Sequence, residues 1–282
     1  MNIAWIGTGV MGSALAKHVM DAGHDMHVHN RSADKAAALV SLGMHAYTSI
    51  AECIKDCDAI FTMVGYPKDV EEVYEQIFQS CKPEAICIDM TTSSPTLASK
   101  LYKRAKALGL GMLDAPVSGG DTGARMGTLS IMAGGEATIY EQIKPLFETM
   151  GTPRYMGEAG MGQHTKACNQ IAVAGAVAAM SEALVYAREN GLDDVCMLEA
   201  ISGGAAGSWQ INNTAPRVLK ADFAPGFYIK HFIKDMHIVQ DEMKNSGIHL
   251  EVLESVCHMY EQLAQQGEEN NGTQALIHYY QK

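Results

Sequence analysis

The sequence contains no uninterrupted apolar run long enough to cross a membrane. Its most apolar stretch, 171–180, has ten residues, whereas a membrane-spanning helix needs about 20. Residues 1–18 lack the basic segment of a secretory signal, and glycines interrupt their apolar run. We therefore predict no signal peptide and no membrane partner, and we expect a cytoplasmic protein.

Basic residues are scarce relative to acidic ones. The chain has 21 Lys and Arg against 32 Asp and Glu, which gives a net charge of -11. This balance argues against nucleic acid or anionic lipid as a partner. A small anionic ligand is still compatible with it, because a few local cations are enough to bind one.

Metal-ligand spacings are also absent. The seven cysteines are odd in number and scattered, without a CxxC pair, and the eleven histidines are dispersed. Such a pattern is typical of reduced thiols that serve as small core residues. We predict no metal site.

The composition is that of a globular protein. The chain is 47% hydrophobic and 19% charged, and its 282 residues favour two domains. In the first half, short apolar runs alternate with amphipathic segments, which predicts βαβ units and a doubly wound, mostly parallel sheet. Strands are predicted at 2–7, 25–30, 59–64, 85–90, 111–115 and 129–133, and helices at 13–22, 34–42, 70–79 and 95–108.

The second half has helical periodicity and no convincing strand. One long helix is predicted over 163–190, with Gly191 as its stop. Small residues at its centre would let another helix approach closely. A glycine-rich turn at 157–162 marks the boundary, so we predict an α/β domain over 1–160 and an all-α domain over 161–282.

A dinucleotide-binding fingerprint lies at the N-terminus. It directly follows a predicted strand and opens a helix, as a Rossmann-type fold requires. The first glycine permits the tight turn, the second lets backbone approach a diphosphate, and the third lets the helix pack on the strand. The fingerprint consists of Gly7, Thr8, Gly9, Val10, Met11 and Gly12.

The second strand ends in Asn30, Arg31 and Ser32. An NAD site typically has a carboxylate here for the ribose 2′-OH, and this turn has none. Arg31 can pair with a 2′-phosphate and Ser32 can donate to it. We predict that NADP(H) is preferred and that NAD(H) is possible; the alternative is that Arg31 is only an exposed loop charge.

Three further segments carry polar groups suited to chemistry. In one of them, 230–235, Lys230 and Lys234 are one helical turn apart, and either could reach the cleft or remain in water. Ser118, Gly119 and Gly120 follow a strand and could offer a hydroxyl and bare N–H groups to a carboxylate, or form an ordinary turn. Lys166, Asn169 and Gln170 share one face of the long helix. A lysine near a helix N-terminus and a cationic nicotinamide suits general acid/base work, although a lone lysine is more often simply solvated.

Five ordered motifs resemble those of the β-hydroxyacid dehydrogenase family, which includes 3-hydroxyisobutyrate dehydrogenase, tartronate semialdehyde reductase and glyoxylate/succinic semialdehyde reductases. The resemblance covers essentially the whole chain. Its motifs are IGTGVMG at 6–12, DMTTSSP at 89–95, DAPVSGGDTGARMGTLSIMAGG at 114–135, GMGQHTKACNQ at 160–170, and SWQINNTAPRVLKADFAPGF at 208–227 followed by KD at 234–235.

This resemblance implies residue roles. Lys166 matches the family's catalytic lysine, Asn169 or Gln170 the polar group one turn later, and Ser118, Gly119 and Gly120 the substrate-carboxylate loop. Thr92, Met63, Val64 and Lys234 match cofactor-contacting positions. The turn at 30–32 resembles that of NADPH-using members. In one departure, Asn271 and Gly272 stand where some relatives have an aspartate, which affects the expected edge of the substrate pocket.

The resemblance implies reversible hydride transfer between NADP(H) and a small β-hydroxyacid, semialdehyde or keto acid, catalysed by a homodimer or homotetramer. The helical domain would then bind the substrate and form the dimer. Three alternatives are an imine reductase on the same fold, a 6-phosphogluconate dehydrogenase, and a non-catalytic NADP(H)-sensing protein. Lys166 argues against the first, the short chain against the second, and the joint presence of Ser118, Lys166 and Asn169 against the third.

Overall fold

A computed structural model describes residues 1–244 and 246–281. The chain forms two compact units, Met1–Lys166 and Ala167–Lys282. The predicted domain boundary at residue 160 lies on the glycine-rich turn that precedes the long helix. The division in the structure falls within the first turns of that helix.

The first unit is built on a nine-stranded sheet whose order is β3-β2-β1-β4-β5-β6-β8-β7, with β9 beside β8. The six strands from β3 to β6 are parallel, β8 is antiparallel to β6 and β7, and β9 is parallel to β8. The strands are β1 (Asn2–Ile6), β2 (Asp25–His29), β3 (His45–Tyr47), β4 (Ala59–Thr62), β5 (Ile86–Asp89), β6 (Gly111–Asp114), β7 (Val117–Ser118), β8 (Leu129–Gly135) and β9 (Gly151–Gly157).

The central strands are almost entirely buried and mostly apolar, because helices cover both faces of the sheet. Two separate apolar clusters result: one contains Leu15, Val19 and Phe147, and the other contains Tyr74 and Leu101. The helices are α1 (Val10–Asp21), α2 (Ala33–Ala37), α3 (Ile50–Ile54), α4 (Pro67–Ser80), α5 (Pro95–Ala107), α6 (Gly120–Met126) and α7 (Ala137–Glu148).

The predicted doubly wound sheet is confirmed, with local corrections. The helix expected over 34–42 is instead α2 followed by a 3₁₀ turn, Val40–Leu42. Gly43 ends this segment in the left-handed region, at φ 104°. The strands β3, β7 and β9 and the helices α3, α6 and α7 are additional to the predicted elements.

The second unit is helical. Its elements are the continuation of α8 (Met161–Glu189), then α9 (Asp194–Ser202), a π-helical turn (Gln210–Thr214), α10 (Ala215–Leu219), α11 (Ile229–Met243), α12 (Glu251–Gln265) and a 3₁₀ segment (Thr273–Tyr280). Its core contains Leu184, Phe232 and Tyr260. Beyond Gln163 the described residues form no strand, only an isolated bridge between Tyr228 and Gly272.

By length and composition alone, α8 is apolar enough to cross a membrane. The sequence-based expectation that no segment is long enough to cross a membrane is therefore corrected. The apolar run 171–180 is short because single polar residues interrupt it, but the helix as a whole is still apolar. Core helices of soluble proteins pass the same test. The start of α8 is held at the sheet by a buried carboxylate, so this helix does not indicate a membrane protein.

Candidate active site

The turn after β1 carries the glycine fingerprint. Gly7 adopts φ 99°, and a Cβ there would lie 2.2 Å from the Met63 carbonyl oxygen. A Cβ on Gly12 would lie 2.0 Å from the Gly7 oxygen, so neither position accepts a side chain. Gly9 differs, because no described atom lies within 4 Å of its Cβ position. The protein therefore leaves space open over this part of the backbone.

The N-terminus of α1 lies on the same turn. Its first turn contains no acidic residue, and its N-cap Gly9 provides no side-chain hydrogen bond. Thr8 is 4% exposed, and its buried Oγ1 has no hydrogen-bond partner among the described residues. A buried hydroxyl without a partner is costly. Together with free N–H groups at a helix N-terminus, it fits a phosphate-bearing ligand.

The end of β2 is tied to this turn. The Thr8 amide donates to Asn30 Oδ1 at 3.0 Å, and Asn30 Nδ2 donates to the Ser32 carbonyl at 3.0 Å. Arg31 extends outward, with its side chain 88% exposed, and pairs with Asp69 at the start of α4. Because β2, β1, β4 and β5 are parallel neighbours, the segments that follow them meet at one edge of the sheet.

The segments after β4 and β5 are joined by a buried network. The Val64 amide, next to Met63, donates to Thr91 Oγ1 at 3.0 Å. Asp89 Oδ1 accepts from the Thr91 amide at 3.0 Å and from Thr62 Oγ1 at 2.9 Å. This network fixes the backbone that carries Met63, Val64 and Thr92, three residues for which a cofactor contact is expected.

Burial raises the pKa of Asp89 to about 6, although hydrogen bonds from Thr91 and Thr62 oppose that rise. The pKa in the folded state is therefore above that in the unfolded chain. The stabilisation from this group is complete below the unfolded pKa and is lost as pH rises through about 6.

We expect Asp89→Asn to raise the free energy of unfolding by about 1–3 kcal/mol at pH 8, where the wild-type carboxylate is charged and buried. The asparagine oxygen still accepts from Thr91 and Thr62. The difference should vanish near pH 4, and urea denaturation at several pH values measures it. Asp58→Asn is the control, and it should lower the free energy of unfolding at pH 8. The reason is that the hydrogen bond from Lys82 lowers the pKa of Asp58, so its charged form stabilises the fold. A difference at Asp89 that is independent of pH would contradict this account.

The substrate-loop candidates follow β6. Ser118 ends β7, and Gly119 and Gly120 both have positive φ, at 136° and 62°. The φ of Gly119 is one that residues with a side chain rarely adopt, and a Cβ there would also lie 2.8 Å from Leu129 Cδ2, so this turn favours glycine. Asp121, in the first turn of α6, is neutralised by Arg125 at 2.8 Å. The loop therefore combines a hydroxyl with two glycines that have no side chain to cover their amides.

Lys166 lies on α8 and is 7% exposed. A buried carboxylate from the end of β6 holds the start of this helix: Asp114 accepts from the Gly160 amide at 2.7 Å and from the Gln163 amide at 2.9 Å. The Gln163 side chain accepts from the Ser93 amide at 2.9 Å and donates to the Thr91 carbonyl at 2.7 Å. The helix that carries Lys166 is thus anchored to the same edge of the sheet as the fingerprint.

The second unit contains a chain of polar contacts. Asn169 Nδ2 donates to Gln170 Oε1 at 2.7 Å, and Gln170 Nε2 donates to Asp235 Oδ2 at 2.6 Å. Lys234 Nζ lies 2.9 Å from Asp235 Oδ1. Gln170 and Asp235 are each 2% exposed. This network joins Asn169, Gln170 and Lys234, for which substrate or cofactor contacts are expected. The joining group is the carboxylate of Asp235, for which the sequence predicts no role.

Four residues that organise these networks were not predicted from the sequence. Asp89 and Asp114 each end a strand and begin a motif, and a carboxylate at the carboxyl end of a parallel strand is a usable signal. Gln163 opens the lysine motif, and Asp235 follows Lys234 directly. Their partners are distant in sequence, so no local pattern reveals them.

Three side chains of α11 and α12 have metal-ligand chemistry. Ligand atoms of His237, Cys257 and Glu261 lie within 4.8 Å of one another. His237 Nε2 is already 2.7 Å from Glu261 Oε1, and burial raises the pKa of the Cys257 thiol to about 12. Since a metal binds the thiolate, this group does not favour a metal, and the absence of a metal site stays a prediction.

Two family models together match nearly the whole chain. Residues 2–162 match the NAD-binding domain of 6-phosphogluconate dehydrogenase, and residues 160–280 match the NAD-binding domain of NADP-dependent 3-hydroxyisobutyrate dehydrogenase. An uncharacterized oxidoreductase of Bacillus subtilis is 47% identical, over 100% of this chain and 99% of that protein. A probable mitochondrial 3-hydroxyisobutyrate dehydrogenase-like protein of Arabidopsis thaliana is 42% identical, over 98% of this chain and 84% of that protein.

Solved structures agree in fold. The Mycobacterium tuberculosis 3-hydroxyisobutyrate dehydrogenase, determined with L-serine, has a TM-score of 0.93 and 27% identity over 100% of this chain and 99% of that one. An imine reductase of Streptomyces aurantiacus is more distant, with a TM-score of 0.69 and 21% identity over both whole chains, and shares the fold alone. The chain belongs to the β-hydroxyacid dehydrogenase family, whose 3-hydroxyisobutyrate dehydrogenase-type members are NAD(P)-dependent oxidoreductases that act on CH–OH groups.

Proposed function

We propose that this protein catalyses reversible hydride transfer between NADP(H) and a small β-hydroxyacid or the matching semialdehyde or keto acid, with Lys166 as general acid/base. One observation carries this proposal. Lys166 is buried on a helix whose start is hydrogen-bonded, through Asp114 and Gln163, to the carboxyl ends of β6 and β5, the same end of the sheet at which the glycine fingerprint follows β1. Lysine side chains are rarely buried in proteins.

The cofactor would be held by the segments after four strands. The α1 N-terminus and Thr8 suit the diphosphate, and Asn30 holds the adjacent turn in place. Arg31 and Ser32 suit a 2′-phosphate, which supports NADP(H) over NAD(H). When bound, the nicotinamide supplies or accepts the hydride. The other residues proposed to contact it are Gly7, Gly9, Val10, Met11, Gly12, Met63, Val64, Thr92 and Lys234.

Ser118, Gly119 and Gly120 would bind the substrate carboxylate. A hydroxyl and two glycine amides suit an anion, and they fix the orientation of the rest of a small molecule. Asn169 and Gln170 would face the substrate from the turn of α8 that follows Lys166. Because Gln170 is itself held by Asp235, this contact would be rigid.

Lys166 would move the proton. In the direction of reduction its ammonium donates to the developing alkoxide, and in oxidation its neutral amine accepts the hydroxyl proton. A buried position excludes water from this exchange and strengthens the interaction of the ammonium with negative charge. The buried ion pair between Lys234 and Asp235 would keep Lys234 in one conformation.

We further propose that the first unit is the NADP(H)-binding domain and that the second unit binds the substrate and forms the dimer or tetramer. Bacterial oxidoreductases are among the relatives, and we propose a soluble, cytoplasmic protein. An imine reductase is less well supported, because the solved imine reductase shares the fold alone. A non-catalytic NADP(H) sensor has no need of a buried lysine on α8.

The test is a nucleotide oxidation assay with a panel of short aldehyde and keto acids: glyoxylate, succinic semialdehyde, 2-hydroxy-3-oxopropionate and the aldehyde of 3-hydroxyisobutyrate. We expect oxidation with at least one, faster with NADPH than with NADH. The matched control is each aldehyde with its carboxylate replaced by a neutral amide. Equal rates for acid and amide would contradict carboxylate recognition, and nucleotide binding without turnover of any carbonyl compound would favour the sensor.

A further inference from the structure

The carboxylate of Asp69 pairs with Arg31, the residue expected to select NADP(H) over NAD(H). Arg31 Nη1 is 3.2 Å from Asp69 Oδ1. The side chain of Arg31 is 88% exposed, whereas that of Asp69 is 23% exposed. Asp69 lies in the first turn of α4, the helix that follows β4. In the sheet, β4 and β2 lie on opposite sides of β1, so α4 brings a negative charge to the turn after β2 that carries Arg31.

The two partners differ in how firmly they are held. Asp69 Oδ2 accepts from the Tyr66 amide at 3.0 Å, within a capping box at the start of α4. Its carboxylate is therefore fixed by the helix. Arg31 has a long exposed side chain, and an exposed ion pair contributes about 0–1 kcal/mol. A dianion that approaches this turn can move the guanidinium but not the carboxylate.

We propose that Asp69 is a specificity-determining residue that weakens the preference for NADP(H) over NAD(H); this inference rests on the proposed role of Arg31. Asp69 competes with a 2′-phosphate for the guanidinium, and it repels that phosphate, which carries roughly −1.5 to −2 charges. The 2′-OH of NAD(H) is neutral and donates a hydrogen bond. Asp69 thus supplies, from α4, the acceptor that the end of β2 lacks.

The experiment is equilibrium binding of NADPH and of NADH, followed by nucleotide fluorescence, to the full-length wild type and two variants. Asp69→Asn removes the charge and keeps an oxygen for the Tyr66 amide. We expect it to tighten NADPH binding about threefold to tenfold, less at high salt, without tightening NADH binding. The matched control is Glu72→Gln, which changes the net charge equally on the same helix, where Glu72 faces Lys68 at 3.7 Å.

Three results would overturn the inference: weaker NADPH binding by Asp69→Asn, an unchanged NADPH-to-NADH affinity ratio, or equal tightening by Glu72→Gln. Circular dichroism checks that each variant is folded. An Arg31→Gln variant separates this inference from the proposed function. The assignment of Arg31 fails if Arg31→Gln leaves NADPH binding unchanged, or if the wild type binds neither nucleotide. If Arg31→Gln weakens NADPH binding but Asp69→Asn leaves the NADPH-to-NADH affinity ratio unchanged, only the inference about Asp69 fails.

Discussion

Replacing Lys166 by alanine should lower kcat by about 10²–10⁴-fold, the usual contribution of a general acid/base. NADPH binding should stay nearly unchanged, because the fingerprint turn, Asn30 and the Asp89 network do not depend on this side chain. Steady-state kinetics with the best aldehyde acid of the panel, and fluorescence titration with NADPH, measure the two quantities separately.

Chemical rescue distinguishes a lost proton donor from a damaged fold. Small primary amines added to Lys166→Ala should restore part of kcat, since the cavity left by a buried lysine side chain accepts them. The control is Lys100→Ala, which removes a lysine of α5 whose side chain is 58% exposed. If Lys166→Ala retained most of its kcat, the assigned role would be wrong.

Replacing Asp235 by asparagine should lower the free energy of unfolding by about 2–4 kcal/mol, because a buried ammonium then loses its counter-charge. Lys234 and Gln170 both depend on this carboxylate, and the Lys234 side chain is only 11% exposed. The same variant should raise KM for the substrate, since Gln170 and Asn169 lose their fixed orientation. Urea denaturation followed by far-ultraviolet circular dichroism measures the stability.

Asp241→Asn is the matched control for Asp235→Asn. It lies on the same helix and pairs with Lys244, but both side chains are more than 60% exposed, so the expected loss is below about 0.5 kcal/mol. The double variant Lys234→Met/Asp235→Leu should recover most of the lost stability, because apolar residues can replace a buried ion pair. Equal losses at Asp235 and Asp241 would show that burial of the pair contributes nothing.

The parallel centre of the sheet and the long helix are predictable from the sequence. The strands at Asn2–Ile6, Ala59–Thr62 and Ile86–Asp89 are apolar except for one polar residue at an end of each, as strands buried on both faces require. The additional strands β3 and β9 have residues that are largely exposed or half-buried. They lie at the border of the sheet, where hydrogen bonding to a neighbour, rather than side-chain burial, makes them strands.

The candidate site was predictable where its chemistry is local. The glycine fingerprint, the turn at Asn30 and the loop at Ser118 each occupy a few consecutive residues. The supporting carboxylates were not predictable, because each meets partners far along the chain. Asp114 accepts from residues 46 and 49 positions later, and Asp235 accepts from Gln170, 65 positions earlier. Only folding brings such groups together.

The hydrogen bonds from Gly160 and Gln163 to Asp114 have a consequence for engineering. They hold the start of the helix that carries Lys166, the proposed proton donor, on the first unit, of which Lys166 is the last residue. A crossover point for recombination among relatives therefore belongs inside α8, after Lys166 rather than at the glycine turn before it. Chimeras joined there would take Lys166 and the residues that hold the start of α8 from one parent, and the second unit from the other.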